Sequence, residues 1–178
     1  MMKMVTTALC ALAVLLLGAA PPLAAHERDV VAAFDGAIGV IPATNGAGAM
    51  NADGTFPNVK VNVVRGVNPG AGPWRIADLR AEVDVDGQIT VRGRGLLLAS
   101  GNGIGTNGGQ SVFATLICEA TAPFQEHRTA TVPLDVNGNF RIDDTVSAAP
   151  AECASPVLLI RNAAGAWFAA GIPTHDDE

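Results

Sequence analysis

The sequence predicts an all-β domain, an antiparallel β-sandwich of the immunoglobulin-like or Greek-key type with about seven to nine strands. Three observations predict it. Past residue 25, apolar residues alternate with polar ones instead of recurring at three and four, which is the period of a half-buried strand. Twenty glycines and 11 prolines in 178 residues punctuate the chain at short intervals, as turns between short strands require. Two separate stretches carry the same tight-turn spelling, Asp-Val-Asp/Asn-Gly, between alternating runs.

Before the domain comes a leader. Lys3 precedes an apolar run from Ala8 to Leu17, a helix-breaking patch from Gly18 to Pro22, and small residues at Ala24 and Ala25. This is the three-part layout of a secretory signal peptide, residues 1–25, and cleavage after Ala25 makes His26 the mature N-terminus. The run falls short of the roughly 20 apolar residues a membrane helix needs. No comparable run follows it, so no membrane span is expected after cleavage. Residues 26–178 then form a single domain, with 174–178 as a disordered acidic tail.

The elements follow in order. Val30 to Ile41 is apolar but interrupted by Gly36 and Gly39, giving two short strands or one bulged strand. Thr44 to Pro57 is a polar, Gly- and Asn-rich connection, followed by a strand over Val59 to Val64. From Ala77 to Val91 the alternation is clearest: Ala77, Leu79, Ala81, Val83 and Val85 face one way, and Asp78, Arg80, Glu82, Asp84 and Asp86 the other. A three-residue loop, Val85-Asp86-Gly87, keeps the apolar face continuous. It pairs Val83 with Ile89 and Ala81 with Val91, and sets Gly87 at the left-handed position. The same loop at Val136-Asn137-Gly138 pairs Leu134 with Phe140 and Val132 with Ile142. Further strands are expected at Leu96 to Ala99, Val112 to Cys118, Val157 to Arg161 and Ala166 to Ile172. The Leu96-Leu97-Leu98 and Val157-Leu158-Leu159-Ile160 runs are apolar on both faces, so they run centrally or cross between layers. Ser100 to Gly109 is a second long, Gly-rich loop.

Composition narrows the partners. Without Lys3, ten basic residues face 17 acidic ones, a formal charge of −7. No basic cluster exceeds the pair Arg92 and Arg94, which argues against nucleic acid and against anionic lipid. Cys10 leaves with the leader. In an exported protein the remaining pair, Cys118 and Cys153, reads as a disulfide rather than as half of a metal site, because neither has a Cys or His at ligand spacing.

Chemical motifs are sparse. Gly103-Ile104-Gly105-Thr106-Asn107-Gly108 fits Gly-x-Gly-x-x-Gly, but a β-patterned segment follows it, so no helix N-terminus meets a phosphate. Glu82, Asp84 and Asp86 before Gly87 resemble a calcium loop, yet Gly93 stands where the bidentate Glu belongs. The hairpin's solvent side explains the alternation better. Asp143-Asp144 reads as solvated charge. No nucleophile-elbow motif occurs, and no particular carboxylate pair is selected for glycoside hydrolysis. Trp74 and Trp167 are read as packing residues with the indole N–H satisfied locally, with sugar stacking as the alternative. The one sharp metal reading is copper: a mature N-terminal His26, with its free α-amine and imidazole, plus a second imidazole from His127 or His175. No other cofactor is implied.

Several stretches together resemble a family of small exported bacterial proteins of unassigned function. They are Val64-Arg65-Gly66-Val67-Asn68-Pro69-Gly70 with Pro73-Trp74, and Val91-Arg92-Gly93-Arg94-Gly95-Leu96-Leu97-Leu98. Phe140-Arg141-Ile142-Asp143-Asp144, Pro156-Val157-Leu158-Leu159-Ile160-Arg161 and Trp167-Phe168-Ala169-Ala170-Gly171-Ile172-Pro173 complete the set. The likeness runs from about Phe34 to Pro173. It implies a bacterial secreted or periplasmic protein and carries over no activity, cofactor or site residue. The functional expectation is therefore a non-catalytic extracytoplasmic binding or structural module. It would recognise an unknown ligand through loops 44–57 and 100–109, with a copper-binding protein or copper oxygenase as the alternative.

Overall fold

A computed structural model describes residues 29–45, 48–55, 59–148, 150 and 152–174. Thirteen strands succeed one another with no helix among the described residues. They are β1 (Val30–Gly39), β2 (Ala43–Asn45), β3 (Val59–Val61), β4 (Trp74–Arg75), β5 (Asp78–Asp84), β6 (Gln88–Arg94) and β7 (Leu97–Leu98). Then come β8 (Ser111–Ile117), β9 (His127–Arg128), β10 (Val132–Pro133), β11 (Phe140–Thr145), β12 (Val157–Asn162) and β13 (Trp167–Pro173).

Nine of them form one antiparallel sheet in the order β10-β8-β12-β13-β1-β5-β6-β11, with β9 also bonded to β8. The remaining four make two small ribbons, β2–β3 and β4–β7. The all-β, antiparallel class thus follows the sequence. The strands lie on one continuous hydrogen-bonded path, not on two separately bonded sheets. The path returns on itself. The Ser147 N–H donates to the Arg128 carbonyl at 3.1 Å, and the Ala130 N–H donates to Asp144 Oδ2 at 2.6 Å. The β11 edge therefore meets the β9–β10 edge.

The β5–β6 hairpin forms in the register its alternation dictates, Val83 opposite Ile89 and Ala81 opposite Val91. Gly87 takes φ +78°, and its N–H donates to the Asp84 carbonyl at 2.9 Å. Asp84 does not stay on the solvent side. It is buried, and its Oδ1 accepts the Asp86 and Gln88 N–H groups at 3.1 and 2.8 Å, while Val85 turns outward. The carboxylate satisfies turn donors that would otherwise lack partners.

Asp135 does the same at the second turn. Its Oδ1 accepts the Asn137 and Asn139 N–H groups, both at 2.8 Å, and Gly138 takes φ +75°. Here, however, the flanking strands diverge. Val132 pairs with Val112 and Pro133 with Ser111, while Phe140 pairs with Gly93 and Ile142 with Val91. The Leu134 N–H goes to the Gln110 carbonyl at 3.1 Å, and Pro133 has no N–H to offer β11. The hairpin expected from the spelling closes only at its tip.

β1 is a single strand with a bulge between Phe34 and Ala37, where Gly36 takes φ +85°. β8 and β12 are buried along nearly their whole length, and β13 over Trp167 to Ala169, so the Val157–Ile160 run is central as its composition requires. The Leu97–Leu98 run instead forms β7, outside the main sheet and paired with Trp74–Arg75. Segments 62–70 and 119–126 cover the second face of β8–β12–β13. Trp167 Nε1 donates to the Asn62 carbonyl at 3.0 Å, and Arg161 reaches Glu126 at 2.8 Å.

The Cys118–Cys153 disulfide forms just beyond β8 and just before β12, tying the ends of two adjacent strands. Thr174 still donates its N–H to the Ala33 carbonyl at 2.9 Å. The rest of the acidic tail, like the leader, lies outside the described residues.

Candidate functional site

β5 and β6 expose one face and bury the other. Leu79, Ala81 and Val83, with Ile89, Val91 and Gly93, point into the core, joined by Phe140 and Ile142 of β11. The opposite face is a ladder of charged and hydroxyl side chains fixed by the same register. Asp35, Arg80, Arg92 and Arg141 stand directly opposite one another across β1, β5, β6 and β11. One step along, Glu82, Thr90 and Asp143 form a second row. Asp78 faces Arg94.

Three of the four arginines hold a carboxylate. Arg80 Nε lies 3.4 Å from Asp35, Arg94 donates to Asp78 at 2.6 Å, and Arg141 forks onto Asp143, one of its two bonds measuring 3.0 Å. The hydrogen bond from Arg94 holds the Asp78 carboxyl below its usual range, and the Arg141 bond does the same for Asp143. Arg92, at the centre of the row, makes no ion pair among the described residues. Arg80, Ala81, Glu82, Thr90 and Arg92 line an open depression of about 240 Å³. It offers two guanidinium groups, one carboxylate and one hydroxyl. Thr90 also donates to Asp143 at 3.3 Å, which orients that hydroxyl.

A second polar cluster has a structural geometry. Arg161 is buried on β12, with Nε donating to the Gly165 carbonyl at 2.7 Å and Nη1 to Glu126 at 2.8 Å. Arg128 reaches the same Glu126 oxygen, and both arginines lie over the Phe113 ring, at 5.6 and 5.3 Å from its centroid. Burial alone would raise Glu126, but the two arginine hydrogen bonds outweigh it and hold the carboxyl below its usual value. Every partner here is internal, so this cluster fastens 119–126 to the sheet.

The described residues singled out from the sequence take structural positions. His127 is a candidate second imidazole in the copper reading. It lies in β9, buried, with Nδ1 3.2 Å from the Ser147 carbonyl. His26 and His175 lie outside the described residues. Among the described residues no three His, Cys, Asp or Glu side chains gather as a metal site. Trp74 is buried and stacked on Phe168 at 4.0 Å, and Trp167 is buried with its indole N–H bonded. Both pack and neither offers a platform. Asp144 is not solvated charge: it is half-buried and accepts the Ala130 N–H where the sheet edges meet.

The Gly-rich segment 100–109 folds back on β7. The Leu98 N–H donates to the Thr106 carbonyl, the Gly105 N–H donates to the Leu98 carbonyl, and Asn107 donates to the Asp135 carbonyl. β8 follows it, with no helix. No hydrogen bond among the described residues joins this segment to 44–57, of which 46, 47, 56 and 57 lie outside the description.

The arginine row was only half visible beforehand. The hairpin register already sets Arg80 opposite Arg92. Arg141 joins them because β11 pairs with β6, a long-range choice that the local spelling at 134–140 misdirected.

No protein-family model matches this chain, and no curated protein or solved structure matches it either.

Proposed function

We propose that this chain is a non-catalytic binding module that works outside the cytoplasm, with the polar face of β1–β5–β6–β11 as its recognition surface. Export rests on the leader layout of residues 1–25 and on the disulfide, which is stable in an oxidising compartment. The resemblance to small exported bacterial proteins favours a bacterial periplasmic or secreted setting. The architecture is then sandwich-like in use, with β10–β8–β12–β13 and β1–β5–β6–β11 as two layers packed over one core and Greek-key connections between them.

The observation that carries the reading is the cross-strand row Arg80–Arg92–Arg141. Like charges directly opposite each other weaken a sheet. The side chains of Arg80 and Arg141 are 73% and 54% exposed, so packing does not demand them. A costly, exposed and strand-mounted row makes sense as a rigid binding surface, since sites on strands are held more firmly than sites on loops.

The test uses the exported mature protein and a panel of soluble polysaccharides, read by retention in affinity electrophoresis and by reducing-end release. The expected result is retention by at least one polymer with no new reducing ends, and its loss in the triple variant R80A/R92A/R141A. Cleavage of a retained polymer, or retention unchanged in the triple variant, would overturn the reading.

A further inference from the structure

We infer that the face centred on Arg92 binds a linear uronate polysaccharide, a chain of sugars each bearing one carboxylate. This rests on the recognition surface proposed above and names its ligand. Four features of the face select that chemistry. First, Arg80, Arg92 and Arg141 repeat across neighbouring strands, and strands lie about 4.8 Å apart, comparable to one sugar residue. A uronan laid across the strands sets one carboxylate at Arg92 while its neighbouring sugars lie over Arg80 and Arg141, whose guanidinium groups stay paired with Asp35 and Asp143. Second, the planar guanidinium fork matches a carboxylate bidentately. Arg92 is the member with no internal carboxylate among the described residues, so its fork is open to a ligand.

Third, the face also carries acceptors. Glu82 and Thr90 line the same depression as Arg80 and Arg92. Sugar hydroxyls can donate to Glu82 while the neighbouring uronate carboxylate accepts from Arg92. Fourth, Asp35, Asp78, Glu82 and Asp143 interleave with the arginines, so the face has little net charge. A densely charged polyanion meets repelling carboxylates there, as it does from a chain of formal charge −6. A uronan carries less charge per length and pairs it with hydroxyl donors. The face therefore selects by pattern and not by bulk attraction.

The experiment measures retention of the full exported chain by polygalacturonate, dextran sulfate and uncharged dextran at moderate salt. Wild type is expected to bind polygalacturonate most tightly, and R92Q to bind it about tenfold more weakly, the worth of one charge-assisted contact. R75Q removes the same charge from β4 and is expected to leave binding unchanged. The thermal midpoint of R92Q should match or exceed that of wild type, because the substitution relieves repulsion within the row. A structural role for Arg92 predicts a lower midpoint instead. Tightest binding to dextran sulfate or dextran, lost in R92Q, overturns the uronate assignment while the recognition surface stands. Polygalacturonate binding equal in wild type and R92Q overturns both.

Discussion

Gly93 shows how closely single residues are fitted. A Cβ on Gly93 would lie 2.1 Å from the Phe140 ring across the β6–β11 pair. The aromatic fills the space the missing side chain leaves, so G93A should destabilise the fold by about 1–3 kcal/mol through overpacking. Adding F140L to G93A should recover part of that loss, and a double-mutant cycle by urea unfolding measures the coupling. Full additivity would mean the two positions do not share the space. Asp84 acts at the same scale. D84A leaves the Asp86 and Gln88 N–H groups without their acceptor and should cost about 1–2 kcal/mol. D84N, which keeps a carbonyl oxygen, should retain much of the stability.

Between elements, the disulfide and the Glu126 cluster hold the second face of β8 and β12. The bridge spans a sequence separation of 35 residues, so C118S/C153S should lose about 3–4 kcal/mol on the chain-entropy account. Equal urea midpoints with and without reductant would contradict this. Glu126 links buried Arg161 to Arg128. E126Q leaves the Arg161 charge without its counter-ion, and protease cleavage within 119–126 should become faster than in wild type. The element scale also marks how far local spelling reaches. Both Asp-Val-Asp/Asn-Gly turns form, each closed by its own aspartate, because those bonds involve neighbours only. β9 was not legible, since two residues in a polar stretch carry no periodicity. Its burial depends on Leu116 and Ser147, distant in sequence.

For the whole molecule, acid should be the weak side. Folding holds Asp78, Asp135, Asp143, Glu119 and Glu126 below their usual carboxylate values. A carboxylate whose folded pKa is depressed adds stability above its unfolded value, and that stability disappears as pH falls through the folded value. The thermal midpoint should therefore stay level from pH 7 to about pH 5 and fall below about pH 4. A midpoint that rose on acidification would refute this sign. In E126Q the acid fall should be shallower, because one contributor is missing.

By itself the sequence determined the strand period, the β5–β6 register, the two turn tips, the centrality of 157–160 and the Cys118–Cys153 pairing. All of these follow from alternation, from short-range hydrogen bonds or from the expectation that Cys118 and Cys153 pair. Only the tertiary structure decided that β11 joins β6, that His127 goes inside, and that three arginines share one row. Those outcomes depend on which edges meet across long loops, and the energy deciding them is burial shared among distant strands, which no local window contains.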